Sequence, residues 1–116
     1  MDGRAQLPVI KYLQKKFGVS YVDTITEAGV NRVLAENEDD FLIQNILKRI
    51  NISIDKHYSK GIAIAGHYDC AGNPVSKEIQ IDHIKRSVYY LKEQFNNLEI
   101  VGLWVDENWE VQEIDL

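Results

Sequence analysis

One cysteine, Cys70, stands in 116 residues, so no disulfide can form within the chain, which fits a reducing compartment. A thioredoxin-type redox pair, which needs a second cysteine three positions away, is excluded. Positive charge is also scarce: 13 Lys and Arg face 18 Asp and Glu, a net charge of -5. No basic field is available to neutralise a phosphate backbone, which argues against nucleic acid as a partner. The longest apolar runs, such as Gly61-Ile62-Ala63-Ile64-Ala65-Gly66, fall far short of the roughly 18 residues a membrane helix needs. No signal peptide opens the chain. The expectation is a cytoplasmic protein with neither a membrane nor nucleic acid as partner. Missing too are a dinucleotide fingerprint, a glycine-rich phosphate loop and an arginine shortly after Cys70, so phosphate cofactors lose ground.

What is present is the composition of an ordinary globular chain, 45% hydrophobic and 27% charged with two prolines and seven glycines, of a length that suits one domain over residues 1–116. Apolar residues recur at helical spacing from Pro8 to Phe17, with Gly18 suited to the cap. The β-branched and aromatic stretch Val19 to Ile25 reads as a strand ending at Ala28-Gly29. A short helical turn is expected at Val30 to Leu34. A long helix is expected over Phe41 to His57, capped by Asp39 or Asp40, with Ile43, Ile46, Leu47, Ile50 and Ile54 on one face. Gly61 to Ala65 is wholly apolar, as a strand buried on both faces of a parallel sheet would be. Ser76 or a neighbour starts another amphipathic helix, which Asn96-Asn97 ends. Leu98 to Val105 and Trp109 to Gln112 then form a closing β-hairpin. This alternation predicts an α/β fold, an open and mostly parallel sheet flanked by helices, with ligands gathering beyond the carboxyl ends of its strands.

His67 and Cys70 follow such an end. An imidazole and a thiolate three residues apart can aim at one ion about 2 Å away, as zinc requires. The plainer alternative is a histidine bonding a local carbonyl and a cysteine packing as a small apolar residue. A third reading makes Cys70 a nucleophile with His67 as its base. Two ligands do not make a metal site, and the spacing alone leaves these alternatives open.

The segment Ile62 to Cys70, an apolar strand delivering Gly66-His67-Tyr68-Asp69-Cys70, resembles the second zinc motif of the β-class carbonic anhydrases, Gly-His-x-x-Cys. Asp2-Gly3-Arg4 resembles the tail of that family's first motif, Cys-x-Asp-x-Arg. The layout is similar over almost the whole chain. It is closer still to small prokaryotic carbonic-anhydrase-like proteins that share the Met-Asp-Gly-Arg, Gly-His-Tyr-Asp-Cys, Gly102-Leu103-Trp104 and Glu107-Asn108-Trp109 text.

The resemblance implies a β-carbonic-anhydrase-like fold and one zinc ion per chain, held by His67, Cys70 and a first-motif cysteine. The ion would activate water for attack on carbon dioxide or a related small molecule. Asp2 and Arg4 would be the catalytic pair, Asp2 accepting a hydrogen bond from that water and Arg4 fixing the carboxylate. It also implies a homodimer or higher oligomer. By the motif's spacing the first cysteine falls immediately before Met1, and the strand that carries it is missing with it. The expectation is therefore either an upstream strand in the native protein or a chain that lost the metal and serves as a non-catalytic anion-binding or assembly protein. Thr26-Glu27 replaces the family's Arg-Asn, and Ala71 displaces a glycine after Cys70. Glu27 is weighed as a polar group facing the site against a solvated loop residue, Tyr68 and Asp69 as loop-orienting residues, and His57 and His83 as surface residues. Trp104 and Trp109 are expected to pack the hairpin or a subunit contact.

Overall fold

The computed structural model describes residues 1–116. Its elements are α1 (Gly3–Phe17), α2 (Val30–Glu36), α3 (Asp40–His57), β1 (Gly61–His67), α4 (Lys77–Gln94), β2 (Glu99–Val105) and β3 (Val111–Glu113). No helix is long and apolar enough to cross a membrane.

Each helix begins where a short polar side chain satisfies a free backbone N–H. The Asp2 carboxylate accepts from Arg4 N at 2.9 Å, the Asp39 carboxylate from Leu42 N at 3.1 Å and Ser76 Oγ from Ile79 N at 3.3 Å. Asp2 starts α1 five residues earlier than the Pro8 boundary read from the sequence, so Pro8 lies inside the helix rather than in its first turn. Asp2 caps the new start, and Pro8 withholds one N–H from the helical ladder. Gly18 ends α1 at φ 62.

β1 and β2 pair in parallel, Gly61 opposite Glu99 through His67 opposite Val105. β3 adds an antiparallel edge with Val105 opposite Val111. Alternate residues then sort to opposite faces. Ile64, Ile100 and Trp104 join Ile84, Val88 and Leu91 of α4 and the apolar sides of α2 and α3 in the larger core. Val101 and Leu103 meet Leu13, with Ala63 and Ala65 packed alongside, under α1. Gly102 permits the close seat of α4, since a Cβ there would stand 2.6 Å from Ile84 Cγ2.

Two expectations are corrected. The sheet has three strands in the order β1-β2-β3 and is mixed rather than mostly parallel. Val19 to Ile25 is not a strand: it runs without regular structure, and from Ser20 to Ala28 its main chain bonds no other main-chain group. The physical reason is that no strand lies within pairing distance of it. Between this segment and the open side of β1 lies an apolar groove of about 1060 Å³, lined by both, by α1 and by α3. The hairpin forms, but its second strand starts at Val111 and leaves Trp109 in the turn at φ 59.

Candidate functional site

The ladder carries one residue past β1, where Tyr68 N donates to Val105 O at 2.9 Å, and Asp69 then turns the chain at φ 58. This places His67 at the carboxyl end of β1 and Cys70, half-buried, on the loop that follows. His67 Nδ1 lies 2.8 Å from Tyr68 O. A carbonyl only accepts, so Nδ1 carries the proton, and in the neutral tautomer this leaves the lone pair on Nε2. The carbonyl bond of the plainer alternative is therefore present, and it leaves the other nitrogen available as a ligand.

Behind the strand, a buried polar relay fixes the backbone of His67. Gln80 of α4 donates to His67 O at 2.8 Å and accepts from Asn31 Nδ2 at 3.3 Å. Asn73 Nδ2 donates to His83 Nδ1 at 2.9 Å and lies 3.4 Å from Asn31 Oδ1. Ser87 Oγ reaches Asn31 O at 2.7 Å. Asn31, Asn73, Gln80 and Ser87 are all nearly inaccessible to solvent. His83, expected on the surface, is buried here, because it lies on the inner face of α4 with Gln80 and Ser87. The Cys70 loop is pinned from another side by backbone against backbone: a Cβ on Gly72 would stand 2.5 Å from Gly29 N and 2.6 Å from Ala28 C.

Asp2 and Arg4 form a two-pronged ion pair, Nη2 to Oδ2 at 2.6 Å and Nε to Oδ1 at 3.1 Å. The guanidinium also reaches Asp69 Oδ2 through Nη1 and Asp69 O through Nη2, both at 3.3 Å. Its Cζ lies 4.5 Å from the centre of the Trp109 ring. Hydrogen bonds from the Arg4 side chain, then from its backbone N–H, hold the Asp2 carboxyl well below the usual carboxylate range. The same pairing raises Arg4, so both stay charged at any ordinary pH. Cys70 draws no comparable partner.

Of the residues singled out by sequence, Asp2 and Arg4 are brought together, and Asp2 and His67 line the same groove. Glu27 lines this groove too, and pairs with Arg49 at 2.7 Å. His57, exposed as expected, lies 2.6 Å from Asp23, whose carboxyl is lowered first by Ser53 and then by His57. Three features were missed. The Gln80, His83, Ser87 face was legible as polar residues at helical spacing on an otherwise apolar side. The bond from Arg4 to Asp69, 65 positions away, and the seat of Arg4 on Trp109 carried no local signal.

Imidazole nitrogen and thiolate sulfur suit zinc in kind. They fall short in number, because no group of three or more His, Cys, Asp or Glu side chains converges to hold a metal. His67 and Cys70 thus amount to a partial donor set.

No curated protein and no solved structure matches the chain. A family model described as "Putative carbonic anhydrase" does, over residues 1–115. With that match spanning nearly every residue, including the Asp2–Arg4 pair and the His67 to Cys70 loop, the chain belongs to this carbonic-anhydrase-like family.

Proposed function

We propose that the protein is a zinc-dependent lyase of carbonic-anhydrase type, hydrating carbon dioxide or a related small molecule, with His67 and Cys70 as two of three protein ligands. The observation that carries this reading is the tethered His67 Nδ1, which leaves Nε2 available as a ligand at a strand end beside the Asp2–Arg4 pair. When bound, the ion would supply an activated water for attack on an electrophilic carbon. This chain's residues would do the rest. Asp2, held ionised by Arg4, accepts the hydrogen bond that orients the attacking water, and Arg4 prevents the carboxylate from turning away. Gln80 keeps the His67 backbone in place while Tyr68 O fixes the imidazole plane.

The third ligand is proposed to come from a strand laid in the groove between β1 and the 19–25 segment. Met1 and Asp2 line that groove with His67, so a chain continuing upstream of Met1 could enter it directly. We also propose a cytoplasmic homodimer as the working form.

Elemental analysis of protein carrying its upstream sequence, purified from zinc-supplemented medium, is expected to give close to one zinc per chain and much less in Cys70→Ser. Carbon dioxide hydration should exceed buffer in the first and not in the second. Absence of zinc from the extended protein overturns the reading. The short donor set favours one alternative, a non-catalytic relative that binds an anion or serves an assembly. Zinc bound with hydration no faster than buffer would select it.

A further inference from the structure

We infer that Trp109 and Asp69 are positioning residues that lock the Arg4 guanidinium onto Asp2, by stacking against its face and by closing its outer edge. The inference rests on the proposed role of Asp2 and Arg4, and it goes beyond that role in naming what holds the pair together.

Arg4 is half-exposed and sits near the beginning of the chain, where a long side chain ordinarily samples many rotamers. Here three separate segments confine it. Asp2 takes the Nε and Nη2 edge, Asp69 takes Nη1 with its carboxylate and Nη2 with its carbonyl, and the indole covers the plane at 4.5 Å. A planar guanidinium can satisfy all of these at once, which an ammonium could not.

The backbone supports the assignment. Asp69 and Trp109 both have left-handed φ, 58 and 59. Aspartate tolerates that region, but for a bulky aromatic it is an outlier that persists only when the surroundings impose it. Asp106 imposes it: its carbonyl accepts Trp109 N at 3.0 Å, and its carboxylate accepts Asn108 N and Glu110 N at 2.9 and 3.0 Å. Glycine would fit that turn with less strain. The indole is the feature that glycine would lack, and it also stands 6.5 Å from the His67 ring. Trp109 therefore bridges the hairpin, the ion pair and the end of β1, whereas Trp104, nearly buried in the core, does the packing expected of both tryptophans.

The test is Trp109→Gly, which eases the turn while deleting the ring, beside Trp109→Phe and Asp69→Asn. In isotope-labelled full-length protein, the Arg4 Nε–H resonance is expected to be shifted by the indole ring current and protected from exchange. Trp109→Gly should remove the ring-current part of the shift and speed exchange, Trp109→Phe should restore part of both, and unchanged Trp104 signals should confirm the fold. In zinc-loaded protein kcat should fall roughly two- to fivefold, the size of an exposed cation–π contact, with KM unchanged. An Arg4 resonance that ignores Trp109→Gly overturns the inference whatever the activity. A resonance that responds while neither protein hydrates carbon dioxide upholds the lock and removes the hydration reading instead.

Discussion

Replacing Gln80 by leucine isolates the contribution of the relay behind His67. The side chain is 2% exposed and has two partners, His67 O at 2.8 Å and Asn31 Nδ2 at 3.3 Å. Leucine is close to it in volume, so the cavity cost is small and the polar losses dominate. Losing the bond to His67 O costs about 1 kcal/mol, and leaving the fully buried Asn31 Nδ2 without its acceptor costs about 1–3 kcal/mol more. A loss of about 3 kcal/mol is a large share of the 5–15 kcal/mol typical of a domain. With a urea m-value near 1.5 kcal/mol/M, roughly what this size implies, the midpoint should fall by about 2 M. Equilibrium urea unfolding followed by fluorescence reads this directly. The His67 to Cys70 loop should loosen as well, seen as faster reaction of Cys70 with a thiol reagent under native conditions. A midpoint lowered by less than about 0.3 M would refute the reasoning, since it would mean that these buried amides contribute nothing net or find substitutes in leucine's presence.

Gly72→Ala should destabilise by about 1–3 kcal/mol and weaken any zinc retention by His67 and Cys70, because the new Cβ meets rigid backbone at Gly29 and Ala28 rather than a yielding side chain; thermal unfolding and metal analysis check it, and an unchanged melting temperature would count against the contact. Asp23 gives a pH dependence of known sign: its folded pKa lies below the ordinary 3.8, lowered by Ser53 and then His57, so its contribution is present above about pH 4 and is lost as pH falls through the folded value. Asp23→Asn should therefore be less stable than wild type at pH 6, with the difference shrinking below pH 4; a gap that persists at low pH would sink this account. Partial exposure of Asp23 keeps the effect modest, and added salt should reduce it further.

Helical periodicity carried most of the fold. α3 and α4 follow from runs of apolar residues every three or four positions and from Asp39 and Ser76, whose side chains accept hydrogen bonds from the third residue onward. The β1 to Cys70 turn was legible for a different reason: an apolar strand between glycines followed by two chemically distinctive residues. Failures came where the deciding partner is remote. A β-rich stretch forms a strand only if something pairs with it, and nothing in Val19 to Ile25 encodes whether a neighbour lies within reach. At the N-terminus Pro8 reads as a helix start, while the side-chain cap that marks the actual start lies at Asp2. His83 was assigned to the surface on the charge of its sequence neighbours, while the helical phase it shares with Gln80 and Ser87 points inward. Asp2 and Arg4 were recognisable by motif, but the stacking of Trp109 and the reach of Asp69 depend on a tertiary meeting of residues far apart in the chain.

On the proposed reading, the open side of β1 and the need for a third zinc ligand are two aspects of one geometry. Up to His67, β1 has the wholly apolar composition of an interior strand, yet it forms one edge of the sheet, with main-chain groups that no strand bonds on its outer side. Its partner β2 is buried from Ile100 to Val105, while β1 is only partly covered. Beyond that edge lies a mostly apolar groove, and no proline-bearing strand covers it. A neighbour laid there in parallel would bond the free edge of β1, give the 19–25 segment a partner, and finish at the level of His67, because parallel strands end on the same side. On the proposed reading, one added strand would both cover this edge and bring a third donor to the His67 end, so a change that blocks one should block the other.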